Sequence, residues 1–117
     1  MLDQPVVQLA RYCSMRTERD FDTTILRLSG EFDLDCEARF RDELEAVMGD
    51  VARSLVLDLR GLEFMDSTGL RVLVAAHARA RTDGTRFAIT RPKEGGAVAR
   101  ILTIAGIDTE LEFVDEP

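Results

Sequence analysis

Four consecutive residues, Asp66-Ser67-Thr68-Gly69, set a carboxylate, two hydroxyls and a position without a side chain at the head of a long apolar segment. Asp and Ser are the residue types that cap helices, accepting hydrogen bonds from free backbone N–H groups. A hydroxyl in that place also sits where negative charge is tolerated, because the helix dipole leaves partial positive charge there. Gly69 inside the first turn costs about 1 kcal/mol relative to Ala. Its missing side chain would leave the hydroxyls uncovered for the close approach of another surface. Phe64 and Met65, just upstream, are candidates for apolar surface beside the hydroxyls and equally for core. Capping alone accounts for Asp66 or Ser67, so these residues by themselves fit a structural cap as well as a regulatory hydroxyl.

Other reactive chemistry is sparse. The one histidine, His77, falls in the middle of a helical pattern beside its apolar stripe and reads as a packing residue. Without a second histidine or a cysteine pair there is no basis for a zinc site. Cys13 and Cys36 form no Cys-x-x-Cys motif and read as reduced thiols, with Cys36 either a core thiol or a redox-sensitive contact. No Gly-x-Ser-x-Gly elbow surrounds Ser67, and there is no Walker loop or dinucleotide fingerprint; Gly95-Gly96 reads as an irregular helix start. The expectation is therefore a binding protein rather than an enzyme, with no cofactor and no metal.

The totals narrow the class further. A length of 117 residues with 45% apolar content suits one folded domain, 1–117, with one core. Net charge is −7, from 22 acidic and 15 basic side chains, which argues against direct nucleic-acid binding. It is compatible with a soluble surface or with a basic partner. No apolar stretch approaches the roughly 18 residues that would span a bilayer, and the first residues lack a signal-peptide pattern, so no membrane association and a cytoplasmic address are expected.

The elements that must position Ser67 follow from periodicity. Residues 6–13 read as a strand, 17–22 as a charged turn, and 23–33 as a second strand forming an antiparallel hairpin with the first. A helix is expected from Asp35, as N-cap, to Met48, with Phe40, Leu44, Val47 and Met48 on one face. Leu55 to Leu59 reads as a buried strand in parallel pairing, followed by a short turn through Gly61. A second helix spans Ser67 to Thr82, with Leu70, Leu73, Val74 and His77 in one stripe widened by Val72, Ala75 and Ala76. Phe87–Thr90 is a short strand, Glu94–Ala105 a third helix carrying Val98, Ile101, Leu102 and Ile104, and Leu111–Val114 a last strand. The order predicts an α/β domain, a mixed central sheet with amphipathic helices packed against it.

With these elements in place the residues match a family. Leu57-Asp58-Leu59 followed by Phe64-Met65-Asp66-Ser67-Thr68-Gly69-Leu70 resembles the signature of STAS domains, in particular the bacterial anti-sigma factor antagonists. Leu28-Ser29-Gly30-Glu31-Phe32-Asp33 resembles the family's Gly-Glu-Leu-Asp segment, with Phe32 in place of Leu. Ile104-Ala105-Gly106-Ile107 resembles its late Ser-Gly-Leu. The resemblance runs from about residue 20 to 114 and implies a single STAS domain.

It also implies a binding switch. Antagonists of this family, when unphosphorylated, bind an anti-sigma factor that is also a serine kinase with an ATPase-type fold, and so free a sigma factor. The kinase phosphorylates the serine after the signature Asp, here Ser67, and a PP2C-type phosphatase reverses the modification. By the same resemblance Asp33 helps phosphotransfer or docking, and Asp66, Thr68, Gly69, Phe64 and Met65 line the partner-binding surface. Thr68 replaces a second serine seen in some relatives. Added charge of about −1.5 to −2 at Ser67 would be tolerated by the helix N-terminus and its free N–H groups, and would weaken docking beside Asp66 and Asp33. The resemblance leaves a second role open, a STAS subunit of a membrane lipid or anion transport complex or of a stress-signalling scaffold. A monomer or weak homodimer is expected.

Overall fold

The computed structural model describes residues 6–49 and 53–117. Its frame is one six-stranded sheet, ordered as in the chain: β1 (Val6–Ala10), β2 (Cys13–Asp20), β3 (Thr23–Phe32), β4 (Ser54–Met65), β5 (Arg86–Thr90) and β6 (Phe113–Val114). The first three strands pair antiparallel and β3 through β6 pair parallel, so the sheet is mixed. Each parallel step is a crossover carrying one helix: α1 (Glu37–Met48), α2 (Ser67–Thr82) and α3 (Ala97–Ile104). Crossovers of this kind are right-handed. Because the parallel strands are added always in the same direction, all three helices are carried to the same face. Accordingly Phe40 and Leu44 of α1, Leu73 and Ala76 of α2, and Val98 and Leu102 of α3 share one core with Leu26, Leu57, Leu59 and Ile89.

Strand alternation sends the intervening residues to the opposite face. There Ile25, Val56 and Ala88 form a second, small cluster with Val114 beside it. This two-sided burial explains the near-continuous apolar run at the start of β4, as expected from its pattern. Asp58 sits in that run and is only 4% exposed. A buried carboxylate needs partners. Arg60 donates to it through Nε and an outer nitrogen at 2.9 and 3.0 Å, Arg27 pairs with Oδ2, and Thr90 Oγ1 donates to Oδ1 at 2.8 Å. The Thr90 hydroxyl in turn accepts the Leu59 N–H at 2.9 Å, just past the end of the β4–β5 ladder. Burial pushes the Asp58 pKa up, but the Arg60 and Thr90 hydrogen bonds outweigh it and bring the carboxyl from 3.8 down to about 2.

Several expected boundaries move, each for a local reason. The charged stretch 17–22 is not a turn: β2 continues to Asp20 and only Phe21 and Asp22 turn, with Phe21 at φ +56°. Glu18 within it is held by cross-strand pairing, since Arg27 on β3 grips it with two bonds of 3.0 Å. The hairpin partner of β3 is therefore β2, and residues 6–10 form an extra outer strand. Gly61 is not a turn either. β4 runs through it to Met65, absorbing two one-residue bulges against β3, between Asp58 and Gly61 and between Leu62 and Phe64. A side chain at Gly61 would come within 2.8 Å of Ser29 Oγ and 2.9 Å of the Leu28 carbonyl, so the bulge needs glycine there.

The helices are corrected in detail. Asp33 rather than Asp35 caps the start of the first helical segment, a 3-10 turn Leu34–Cys36 that leads into α1. On α2, Val74 and Ala75 are exposed, and the buried stripe runs through Val72, Leu73, Ala76 and Ala80. His77 lies at the boundary with its ring 5.6 Å from that of Phe87, a packing position as expected. α3 starts only at Ala97, behind Gly95 in the left-handed region, and Ile104 is 77% exposed. Leu111 is core, but only Phe113 and Val114 form the last strand. Among the described residues no helix is long and apolar enough to cross a membrane.

The Asp58 network generates a test. Replacing Asp58 by Asn removes a hydrogen-bonded buried charge and should cost about 2–3 kcal/mol at pH 7 by urea unfolding. Because the folded-state pKa is depressed, the stabilisation is present above pH 4 and is lost as pH falls toward 2. The variant should show a shallower loss of stability over that window; parallel acid curves would rule out Asp58 as the linked group.

Candidate functional site

The site stands where β3 and β4 end together. Phe32 and Met65 are register partners, and the Asp66 N–H donates to the Phe32 carbonyl at 3.2 Å. The next residue on each strand is an aspartate, so Asp33 and Asp66 leave the sheet from neighbouring strands. Both are extended, with φ of −134° and −99°, and both serve as caps. Asp66 Oδ1 accepts the Thr68 N–H at 2.9 Å, and its carbonyl accepts from Gly69 at 3.0 Å and Leu70 at 3.4 Å. Asp33 Oδ1 accepts the Asp35 N–H at 3.0 Å, while its own N–H donates to Cys36 Sγ at 3.5 Å.

Ser67 opens α2 and is exposed. Among the described residues no hydrogen bond engages its hydroxyl. The expectation that free N–H groups surround it narrows to the Ser67 N–H, because Asp66 takes the donors of Thr68, Gly69 and Leu70 for itself. The sequence-predicted surface also divides into two layers. Phe64 is 43% exposed, whereas Met65 and Thr68 are buried at 3% and 6%. Gly69 is buried too, and a Cβ there would meet Met65 Cγ at 2.0 Å. Gly69 thus admits the Met65 side chain from below rather than opening the hydroxyls from above.

Two contributions were missed in the sequence. Leu34, next to Asp33, is 64% exposed and adds a second apolar side chain at this end of the sheet. Its place directly after the Gly30–Asp33 segment is the signal that could have found it. Arg71, four residues after Ser67 and so on the same helix face, grips Glu37 at the start of α1 with bonds of 3.0 and 3.4 Å. Arg41 donates to the same carboxylate at 2.9 Å, and the Arg71 hydrogen bond, foremost, holds the Glu37 pKa below the usual range. A second pair, Arg79 with Glu45, joins the same two helices farther along. Such i,i+4 relations are visible in sequence, but pairing between helices is not.

Cys36 is fully buried, with its sulfur 3.6 Å from the Glu31 carbonyl and from Asp33 Oδ1. Burial pushes its thiol up, and that of Cys13 as well. A core thiol that shapes the Asp33 turn fits these facts. Among the described residues no cluster of three or more His, Cys, Asp or Glu could hold a metal ion. What the arrangement can do is present one uncommitted hydroxyl at the end of two paired strands, with an aspartate leaving each strand and the exposed Leu34 and Phe64 at the same end of the sheet.

Comparison with known proteins identifies the fold. The family model described as "Mlab, STAS domain" matches residues 15–115. The anti-sigma-F factor antagonist RsfB of Mycobacterium tuberculosis is 29% identical over 84 residues, 72% of this chain and 66% of that protein, so the match spans just under two thirds of the relative's length. The anti-sigma F factor antagonist of Paenibacillus polymyxa is 32% identical, covering 71% of this chain and 70% of its own. Among solved structures, an anti-sigma factor antagonist from Mycobacterium paratuberculosis has the same fold, with a TM-score of 0.78 at 24% identity over 89% of this chain and 86% of that one.

The caps and the packing beneath them can be tested without a partner. Asp66→Ala should lose about 1 kcal/mol of stability. Gly69→Ala should lose about 1–3 kcal/mol by overpacking against Met65, despite alanine's better helix propensity. Denaturant midpoints measure both; a Gly69→Ala protein more stable than wild type would contradict the packing described.

Proposed function

The chain belongs to the STAS domain family, and from that premise we propose that it is an anti-sigma factor antagonist switched at Ser67. In its unphosphorylated form it binds an anti-sigma factor that is also a serine kinase with an ATPase-type fold, and a sigma factor is freed. The kinase transfers the γ-phosphoryl group of ATP to Ser67 Oγ, releasing ADP and the hydroxyl proton. A PP2C-type phosphatase hydrolyses the phosphoester and restores the serine. The chain itself is the substrate and binding partner, not the catalyst.

The observation that carries this reading is the Ser67 hydroxyl, exposed and unbonded among the described residues, on a helix whose cap is supplied by its neighbour Asp66. Modification there leaves the cap untouched. Exposed Phe64 and Leu34 supply apolar contact area, and Asp33 and Asp66 supply charge that suits a basic partner surface. Met65, Thr68 and Gly69 act from beneath, fixing the shape of the surface. A phosphate beside two aspartates adds repulsion, bulk and a desolvation cost where the partner must approach closely. Likeness to antagonists from two bacterial genera supports the same class of function.

A second reading, a STAS subunit of a membrane lipid or anion transport complex, is the other role that the family resemblance leaves open. The two separate by partner: an anti-sigma kinase in the first, transporter subunits in the second.

The test is partner binding by Ser67 variants, measured by calorimetry with the cognate anti-sigma factor. Ser67→Ala should bind like the wild type, and Ser67→Asp should bind at least about tenfold more weakly, a difference of about 1.4 kcal/mol. Equal affinities would sink the switch. Incubation with the kinase and ATP, followed by mass mapping, should place a single phosphate on Ser67.

A further inference from the structure

The N-terminus of α2 offers a phosphate on Ser67 little beyond the Ser67 N–H itself. Its Thr68 N–H is held by the Asp66 carboxylate, and its Gly69 and Leu70 N–H groups by the Asp66 carbonyl. Asp66 also places a carboxylate next to the modified residue. One amide carries no full charge, so counter-charge comes from a side chain. On the same helix face, one turn along, that side chain is Arg71, 59% exposed and engaged with Glu37.

We propose, resting on Ser67 as the phosphorylated residue, that Arg71 is the phosphate's partner and exchanges Glu37 for it when Ser67 is modified. Three features favour the exchange. The guanidinium makes paired hydrogen bonds to either a carboxylate or a phosphate, and the phosphate carries the greater charge. Glu37 is not orphaned when Arg71 leaves, because Arg41 still donates to it at 2.9 Å. The contact between α1 and α2 is not lost either, because Arg79 and Glu45 hold the helices together farther from the site. The modification then does two things at once. It adds negative charge at the docking surface, and it withdraws the only link described here between Arg71 and the first turn of α1, the segment that follows the Asp33 cap.

The exchange is tested on protein carrying phosphoserine at position 67, installed during translation by genetic code expansion, so that no kinase is needed. Phosphorus NMR follows the second ionisation of the phosphate, ordinarily near pH 6. Asp66 is present in every protein compared, so its effect cancels. Arg71→Gln should raise the phosphate's pKa by about half a unit relative to the parent, a difference that shrinks in 1 M salt as expected for an exposed pair. Glu37→Gln should lower it, because the competing carboxylate is gone. Identical titrations of the parent and the Arg71→Gln protein overturn the pairing, and a titration unaffected by Glu37→Gln overturns the exchange. Circular dichroism checks that each variant is folded, and both changes are at surface positions. Failure of a kinase to modify Ser67 is a separate result, read by mass mapping, and leaves these titrations interpretable.

Discussion

Everything at the site depends on the parallel pairing of β3 with β4. The two strands run together from Thr23 and Ser54 to Phe32 and Met65, and they stop at the same height. Because they end together, one aspartate from each emerges beside the other, and each begins a helical segment by capping it. The register is fixed lower down. Asp58 is tied to Arg27 across the pair and to Thr90 on the next strand, and the two bulges in β4 make up the difference in length before the ends meet. A one-residue slip of β4 would turn Met65 out of the core and separate the aspartates.

On that frame the electrostatics of Ser67 are set by its neighbour. Asp66 uses three of the helix's own donors, which leaves the serine hydroxyl uncommitted and leaves an added phosphate the Ser67 N–H as its backbone donor there. Fold and switch are thereby separated. The core beneath, with Met65 against Gly69, does not depend on the hydroxyl, and the surface charge around it comes from exposed side chains. Arg71 and Glu37 connect this surface to the first turn of α1, so a change at Ser67 has a physical route to the neighbouring helix.

Much of this was legible in the sequence. Helix α2 has the bounds its pattern predicts, Ser67 to Thr82, because an Asp cap, an unbroken apolar stripe and a closing Asp83-Gly84 agree. The α/β class and the signature residues likewise follow from periodicity and motif. What failed was whatever depends on partners distant in sequence. Residues 17–20 looked like a turn because they are charged, and the partner of Glu18, Arg27 on β3, lies across the sheet. Gly61 looked like a turn because glycine marks both turns and bulges, and only the close approach of Ser29 distinguishes them. Gly69 looked like an opening because its occupant, Met65, sits four residues earlier at the end of a strand. Arg71 went unnoticed because a lone arginine on a helix carries no signal until its partner on α1 is known.

The central claim is that phosphate at Ser67 acts on docking and not on the fold. The most direct measurement compares one preparation of the chain, unmodified and stoichiometrically phosphorylated, for both thermal stability and affinity for its anti-sigma factor. The account predicts melting temperatures within about 4 °C, corresponding to less than about 1 kcal/mol, together with an affinity at least about tenfold lower for the phosphorylated form. Equal affinities, or a loss of affinity that merely tracks a collapse in stability, would contradict it.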